Sequence, residues 1–355
     1  MKKAALFNPY LDVLGGGEKY ILSLLKVLEE QNFQIDIFWD KNLKEEIKQR
    51  FNLSFSQINF IPNIFQKANF FKKIKYLKKY DYFFYITDGS YFFSSAKKNF
   101  IYAMVPKKNL YQLNILNRLK LFNWHFFTHS FFNQKNLKKW GIEAKVLYPY
   151  IDNNFFTIKQ RREKIILTVG RFFPQLHHKQ HQKMIEIFVK MKNLGILSDD
   201  FKLILAGALK DEDRGYFRKL KKTAQNNPSI FFKINLKFDE LLSLYQKATF
   251  FWHFTGYGID EEKNPEKVEH LGIAPLEAMA SGCLTFCYQA GGPKELIKDK
   301  INGFLFCNEK QLIQKMKEII NNKTRQEEIK KKAKKFIENN FSYQVFKKNV
   351  VKLIQ

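Results

Sequence analysis

Short apolar segments alternate with amphipathic ones along the first half of the chain. A buried strand is predicted over residues 3–8, with an apolar centre at 4–7; it ends at Pro9 and is followed by a glycine run at 15–17. A helix is predicted next, because apolar residues repeat at the spacing of one helix face: Ile21, Leu24, Leu25 and Leu28. Further strands are predicted over residues 34–39, 82–86, 99–103, 125–128 and 144–147. This alternation is typical of an α/β protein with a parallel sheet.

The alternation restarts after a break at residues 148–154 and a charged connector at 159–164. Strands are predicted there over residues 165–169, 201–206, 229–233, 249–253 and 283–287. We therefore expect two Rossmann-like domains that face each other across a cleft, residues 1–155 and 160–338. A final helix over 339–355 is expected to pack back on the first domain. Ligands of such sheets bind at the carboxyl ends of strands.

Composition narrows the class of protein. The chain has 355 residues, of which 45% are hydrophobic and 27% charged, and this excludes wholesale disorder. The net charge of +27 is divided almost evenly between residues 1–150 and the remainder, so it does not form a basic tail. An anionic partner is one interpretation, and the codon bias of an A/T-rich genome, which favours Lys, Asn, Ile and Phe, is the other.

Cysteine usage and the termini indicate the compartment. Cys283, Cys287 and Cys307 lack metal-ligand spacing, and their number is odd, so we expect reduced thiols in a cytoplasmic protein. The first residues lack the apolar stretch of a secretory signal. No run of residues is long and apolar enough for a spanning helix. The expected location is cytoplasmic, with peripheral attachment to the inner face of the membrane.

Two carboxylates eight residues apart mark the most informative segment, residues 269–282. Glu269 is expected in a loop, Pro275 at the first position of a helix and Glu277 in its first turn. The backbone at this helix start is a ready phosphate site: Gly272, Ile273, Ala274 and Leu276. Carboxylates bind vicinal sugar hydroxyls. The alternative is that Glu277 complements the helix dipole and Glu269 is a solvated loop residue.

A second segment, residues 169–179, brings two cations to the end of a predicted strand. Arg171 directly follows the strand and a glycine, and Lys179 is expected to open the next helix. Together they could clamp a diphosphate leaving group. The histidines nearby are interpreted as loop polarity and not as a metal site, because no carboxylate completes the set: His177, His178 and His181.

Four motifs now stand in order along nearly the whole chain: Gly15-Gly16-Gly17-Glu18, Arg171 with Lys179, Glu269 with Glu277, and Ala290-Gly291-Gly292-Pro293 with Glu295. Together they resemble the family-4 glycosyltransferases of the GT-B fold. The resemblance implies an N-terminal domain for the acceptor, a C-terminal domain for a nucleotide-sugar, and sugar transfer with retention and without a metal or other cofactor.

The resemblance also implies a role for each motif residue. Arg171 and Lys179 would hold the donor diphosphate, Glu277 would bind the ribose hydroxyls, and Glu269 would face the transferred sugar. Backbone at two glycine pairs would approach the donor: Gly16 with Gly17, and Gly291 with Gly292. For the second pair an ordinary turn before Pro293 is the alternative.

A narrower resemblance concerns residues 251–258 and 265–272, with 148–152. These segments are similar to the branch that contains the eukaryotic α-1,2-mannosyltransferase of lipid-linked oligosaccharide assembly. GDP-mannose is therefore the expected donor, and a glycan or a lipid-linked molecule is the expected acceptor.

One feature departs from the family. Many members carry a sugar-contacting histidine after an N-domain strand, and residues 101–106 contain none. Tyr102 or Met104 falls at that place, and Tyr102 could donate a hydrogen bond to a sugar. Asp88 is the other polar candidate, with an Asx turn as its alternative. His129, nearby in sequence, is interpreted as structural, as is His125.

Two basic amphipathic segments indicate an anionic membrane surface, residues 67–80 and 106–122. The alternative is that each is a surface helix whose apolar stripe packs on the core.

The sequence has three alternative interpretations of function. A nicotinamide-dependent oxidoreductase is disfavoured because Tyr20 stands where its glycine fingerprint needs Gly or Ala. A basic nucleic-acid-binding protein lacks a reader motif, so no nucleic-acid partner is expected. A catalytically weakened transferase remains an alternative, because the histidine is missing.

Overall fold

A computed structural model describes residues 1–67, 69–157, 160–175 and 178–355. Its contacts divide the chain into two compact units, one formed by Met1–Pro149 with Phe346–Gln355 and the other by Tyr150–Val345. The division falls a few residues before the expected boundary at 155. The final helix spans Tyr343–Ile354, and its residues from Phe346 onward contact the first unit.

The first unit contains a parallel sheet. Its strands are β1 (Lys3–Phe7), β2 (Gln34–Phe38), β3 (Ile58–Ile61), β4 (Tyr82–Ile86), β5 (Lys98–Tyr102), β6 (Trp124–Thr128) and β7 (Ala144–Val146). The strand order is β3-β2-β1-β4-β5-β6-β7, and every described pair is parallel. The sheet is aromatic-rich, and its four strands β1, β2, β4 and β5 are buried at every position after the first, as expected for strands covered on both faces.

The helices of this unit are α1 (Gly16–Glu29), α2 (Lys44–Phe51), α3 (Ile64–Lys67), α4 (Phe70–Leu77), α5 (Ile115–Lys120) and α6 (Phe131–Lys139). Helix α1 buries the predicted apolar face, which includes Ile21, Leu24, Leu25 and Leu28. Residues with short polar side chains cap several helix starts. The Asn69 side chain, for example, accepts from the Lys72 N–H at the start of α4.

The two basic segments expose different amounts of apolar surface. In α4, Leu77 is buried in the core, whereas Phe71 is 80% exposed. Helix α5 buries none of its residues, and Ile115 and Phe122 are 81% and 78% exposed. We call the exposed apolar side chains of these segments the apolar-basic patch: Phe70, Phe71, Ile115, Leu116, Leu119 and Phe122. The alternative, packing of the stripe on the core, therefore holds for part of α4 and for Leu110 and Leu113 before α5, and it fails for α5 itself.

The second unit contains another parallel sheet. Its strands are β8 (Glu163–Val169), β9 (Lys202–Gly207), β10 (Ile230–Ile234), β11 (Ala248–His253), β12 (Leu284–Tyr288) and β13 (Phe304–Phe306), in the order β10-β9-β8-β11-β12-β13. Its helices are α7 (His181–Asn193), α8 (Arg214–Ala224), α9 (Phe238–Lys247), α10 (Ile273–Ala280), α11 (Pro293–Leu296), α12 (Glu309–Ile319) and α13 (Lys323–Phe341). The final helix, α14 (Tyr343–Ile354), begins in this unit and belongs to the first unit from Phe346 onward.

Both sheets are doubly wound, so the expected class of two Rossmann-like domains is confirmed. Chain order reverses between β1 and β4 in the first sheet and between β8 and β11 in the second. In such sheets ligands bind outside the carboxyl ends of the strands at this reversal. The strand order therefore predicts a ligand site at the loops after β8 and β11.

Candidate active site

Four charged or polar side chains surround the reversal point of the second sheet. Arg171 and Lys179 lie in the loop after β8, and His253 is the last residue of β11. Glu269 lies between β11 and α10. Lys179 lies two residues before α7. The helix begins at His181 and not, as expected, at Lys179.

Glu269 joins two of these groups. One carboxylate oxygen, Oε2, lies 2.8 Å from Lys179 Nζ and 2.8 Å from His253 Nε2. Because a carboxylate only accepts hydrogen bonds, the imidazole donates through Nε2. Burial lowers the pKa of His253, a lowering that Lys179 reinforces and the hydrogen bond to Glu269 opposes. The imidazole is therefore neutral, and Lys179 supplies the positive charge.

Glycine at position 170 makes room for Lys179. A Cβ there would lie 2.7 Å from Lys179 Cγ and 3.0 Å from Cδ. Any larger residue would push the Lys179 side chain away from its present path across the strand end. Gly170, which precedes Arg171 in the sequence, therefore leaves space for the side chain of Lys179.

Arg171 is held by different neighbours. Its Nη2 lies 3.7 Å from Asp213 Oδ2, and its guanidinium carbon lies 4.4 Å from the centre of the Phe173 ring. The Nε atom is buried, and among the described residues it has no hydrogen-bond partner. Arg171 therefore offers a donor that an anion could use, since a buried polar group is costly when it is unpaired.

Glu277 lies in α10, where its carboxylate accepts a hydrogen bond of 3.0 Å from the Tyr245 hydroxyl. The helix begins at Ile273, so Pro275 is its third residue and Glu277 its fifth. The expected first position for Pro275 and first turn for Glu277 were therefore wrong. The physical reason is Gly272, whose φ of 104° caps the helix earlier than proline alone would start it.

Backbone amides at the start of α10 differ in what they can offer. Ile273 and Ala274 are the first two helical residues, whose N–H groups have no partner within the helix. The Leu276 N–H already donates to the Gly272 carbonyl at 3.2 Å. Of the expected phosphate site, the Leu276 amide is therefore already used within the helix, and phosphate binding by the other amides stays a prediction.

The backbone N–H groups of the second glycine pair already donate hydrogen bonds within the chain. The Gly292 N–H donates to the Glu269 carbonyl at 2.7 Å, and the Gly291 N–H donates to Glu261 Oε2 at 2.6 Å. Glu261 also pairs with Lys294. Added Cβ atoms at either glycine would overlap the backbone of residues 269–271. These glycines pack the turn against the Glu269 loop, and a contact of their backbone with a donor stays a prediction.

The first unit holds the remaining glycine pair. Helix α1 begins at Gly16, and a Cβ at Gly17 would overlap Met104 Sδ in the loop after β5. The Gly15 N–H donates to Glu18 Oε2 at 2.8 Å. Burial raises the pKa of this Glu18 carboxyl. Close approach at Gly17 is therefore used by Met104, one of the two residues at the expected histidine position.

Tyr102, the other residue at that position, is in the core. It is 2% exposed, and its hydroxyl lies 2.8 Å from His129 Nδ1. Its ring packs against Tyr20 and Phe127. The structure therefore contradicts Tyr102 as an exposed sugar contact, because its hydroxyl is enclosed and already bonded.

Asp88 makes local bonds after β4. Its Oδ1 accepts from the Ser90 N–H at 2.9 Å and from the Tyr85 hydroxyl at 2.6 Å. The first bond is the Asx turn considered as the alternative. A contact with an acceptor stays a prediction.

Two of the three clustered histidines can be described, since His177 lies outside the described residues. His178 Nε2 lies 2.9 Å from the Tyr216 hydroxyl. Burial lowers the pKa of His181 to about 3. Within the described ranges, His, Cys, Asp and Glu side chains form no group of three that could hold a metal ion.

Sequence reasoning missed three residues that contact the site: His253, Tyr245 and Asp213. A single imidazole at the end of the apolar strand 249–253 was a usable signal for His253. Tyr245 and Asp213 gave none, because each is brought to Glu277 or Arg171 only by the packing of elements distant in sequence.

The C-terminal unit matches the family model described as Glycosyl transferases group 1 over residues 151–336, more than half of the chain. The chain belongs to this family. The resemblance predicted from the motifs is thereby confirmed for the segment that carries Arg171, Lys179, Glu269 and Glu277.

Solved structures share the fold of this group 1 glycosyltransferase. A glycosyltransferase of Rickettsia africae is 16% identical in sequence. The superposition covers 99% of this chain and 97% of that protein, with a TM-score of 0.75. HepE of Anabaena, solved in complex with UDP and glucose, is 15% identical in sequence. Its superposition covers 100% of this chain and 99% of HepE, with a TM-score of 0.74. The predicted GT-B fold is therefore confirmed.

Curated relatives match a part of their own length. The Mus musculus protein named GDP-Man:Man(3)GlcNAc(2)-PP-Dol alpha-1,2-mannosyltransferase is 29% identical over 201 residues, which are 52% of this group 1 glycosyltransferase and 38% of the mouse protein. The Homo sapiens protein of the same name is 30% identical over 186 residues, 48% of this chain and 35% of that one. The matches span well under half of these relatives.

Proposed function

We propose that this group 1 glycosyltransferase moves a hexose, with retention, from a nucleoside-diphosphate sugar to a glycan or lipid-linked acceptor. Within this proposal the donor is GDP-mannose. The observation that carries it is the cluster of Lys179, Glu269 and His253 at the reversal point of a nucleotide-binding type of sheet. The names of the mouse and human relatives support the donor and the lipid-linked acceptor.

The proposed chemistry divides the work among four side chains. The bond between the sugar carbon and the diphosphate oxygen breaks, the acceptor hydroxyl oxygen bonds to that carbon, and the hydroxyl proton passes to the departing diphosphate oxygen. Arg171 and Lys179 stabilise the negative charge that grows on the departing diphosphate. Glu277 binds the ribose hydroxyls and Glu269 the sugar. Independence from metal ions is part of the proposal.

A donor screen tests the proposal. Thermal shift and donor hydrolysis are measured across UDP-, GDP- and ADP-sugars with the full chain. We expect GDP-mannose to give the largest stabilisation and the fastest hydrolysis, with activity kept in EDTA. Stabilisation without turnover by any donor or acceptor would favour the weakened-transferase alternative, which the placement of Tyr102 and Met104 supports. No response to any nucleotide-sugar would overturn the proposal.

We further propose that the protein acts at the cytoplasmic face of an anionic membrane. Within the described residues no helix is both long and apolar enough to cross a bilayer. The apolar-basic patch supports peripheral binding, because Lys72, Lys75 and Arg118 are exposed beside its apolar side chains. Hydrogen bonds from Ser95 to Ile74 and from Asn123 to Ser94 tie both segments to the same connection between β4 and β5.

A further inference from the structure

His253 is a polar residue in an apolar strand. It is buried at the end of β11 between Trp252 and Phe254, in register with Cys287 of β12, and its ring stacks on Phe251 at 14° between ring planes. A buried imidazole is tolerated only if it finds a partner. That partner is Glu269 Oε2, at 2.8 Å.

The two donors to Glu269 Oε2 differ in side-chain length and in where they lie. His253 is fixed by the strand and by the packing of its ring. Lys179 reaches the same oxygen by a long side chain from the loop before α7. A diphosphate would compete with Glu269 for this ammonium group, because both are anions that accept from Lys179. The His253 imidazole N–H would then still donate to the carboxylate.

We infer that His253 is a positioning residue that keeps the Glu269 carboxylate in place while Lys179 passes to the donor diphosphate. This inference rests on the proposed function. The imidazole touches Glu269 and acts on the sugar only through it. Its loss should therefore lower kcat while leaving nucleotide binding, which depends on other groups, nearly unchanged.

Two variants separate hydrogen bonding from packing. His253→Leu fills most of the space without a donor, whereas His253→Gln keeps an N–H at a similar distance from the backbone. Thr255→Val is the matched control, because Thr255 is buried two residues further on and its hydroxyl has no partner among the described residues. Donor turnover, donor KM, GDP affinity and melting temperature are measured for each full-length variant.

We expect His253→Leu to lower kcat about 10- to 100-fold, with donor KM and GDP affinity within about threefold of the parent protein. His253→Gln should recover most of kcat, and Thr255→Val should keep it. Normal kcat in His253→Leu would overturn the inference while leaving the proposed function intact, and so would equal losses in the Leu and Gln variants. If the parent protein neither binds nor turns over any nucleotide-sugar, the proposed function fails, and this inference fails with it.

Discussion

The hydroxyl of Tyr245 donates a 3.0 Å hydrogen bond to a carboxylate oxygen of Glu277. Tyr245 is fully buried in α9, and burial together with the nearby Glu277 raises the pKa of its hydroxyl well above the ordinary value. The hydroxyl therefore stays protonated and remains a donor at every working pH. It fixes one oxygen of Glu277, so that the carboxylate has a defined direction before any ribose arrives.

Tyr245→Phe should raise the donor KM about three- to tenfold with little change in kcat, because a single hydrogen bond to a charged acceptor is lost. Steady-state kinetics with the donor found by the screen measure the effect. Tyr216→Phe is the control, since its hydroxyl bonds His178 and not a donor-binding carboxylate. An unchanged KM in Tyr245→Phe would show that the orientation of Glu277 does not depend on this bond.

Lys179→Met should reduce kcat/KM by about 100-fold or more, because it removes a charge proposed to stabilise the leaving diphosphate. Lys183→Met is a matched control: it lies four residues further along, in α7, and pairs with Glu309. Turnover and thermal unfolding are measured together to separate loss of chemistry from loss of folding. Normal turnover in a folded Lys179→Met protein would contradict the assigned role.

Most of the fold could be predicted, because fully buried parallel strands leave continuous apolar runs. The two strands that the pattern missed, β3 and β13, each lie at one edge of a described sheet, whereas the strands at the opposite edges, β7 and β10, were predicted. Strand β3 alternates weakly and is partly exposed, and β13 has only three residues. A short or partly exposed edge strand contains few apolar positions, so its hydrophobic pattern resembles that of a loop.

The site was predictable where chemistry follows a strand end and not where packing decides. Lys179 and Glu269, which the motifs singled out, pair at 2.8 Å, and their roles toward a donor stay predictions. The burial of Tyr102 could not be predicted. A sheet covered on both faces leaves no alternation of apolar and polar residues that would tell a buried position from an exposed one. The early start of α10 depends on a positive φ at Gly272, which the sequence permits but does not demand.

The apolar-basic patch should bind anionic vesicles. Phe122→Asp and Leu119→Asp should lower sedimentation with phosphatidylglycerol vesicles at least tenfold, because each removes an exposed apolar contact and adds a repelled charge. Leu194→Asp is the control, since Leu194 is as exposed as Leu119, at 58%, but lies in the C-terminal unit. Equal retention of all three variants, or equal binding to neutral vesicles, would count against membrane docking through this surface.

His181 should make the protein sensitive to mild acid. Burial lowers its pKa from 6.5 to about 3, so the folded protein excludes a proton that the unfolded chain binds. Stability from this residue is complete above pH 6.5 and falls as the pH drops from 6.5 toward 3, by about 1.4 kcal/mol per unit. His181→Phe, which keeps the ring packing on Phe172, should flatten this part of the profile. Urea unfolding at about pH 7 and about pH 5 measures the difference, with the exposed His125→Phe as control. An acid slope that is the same in His181→Phe and the parent protein would show that other groups govern it.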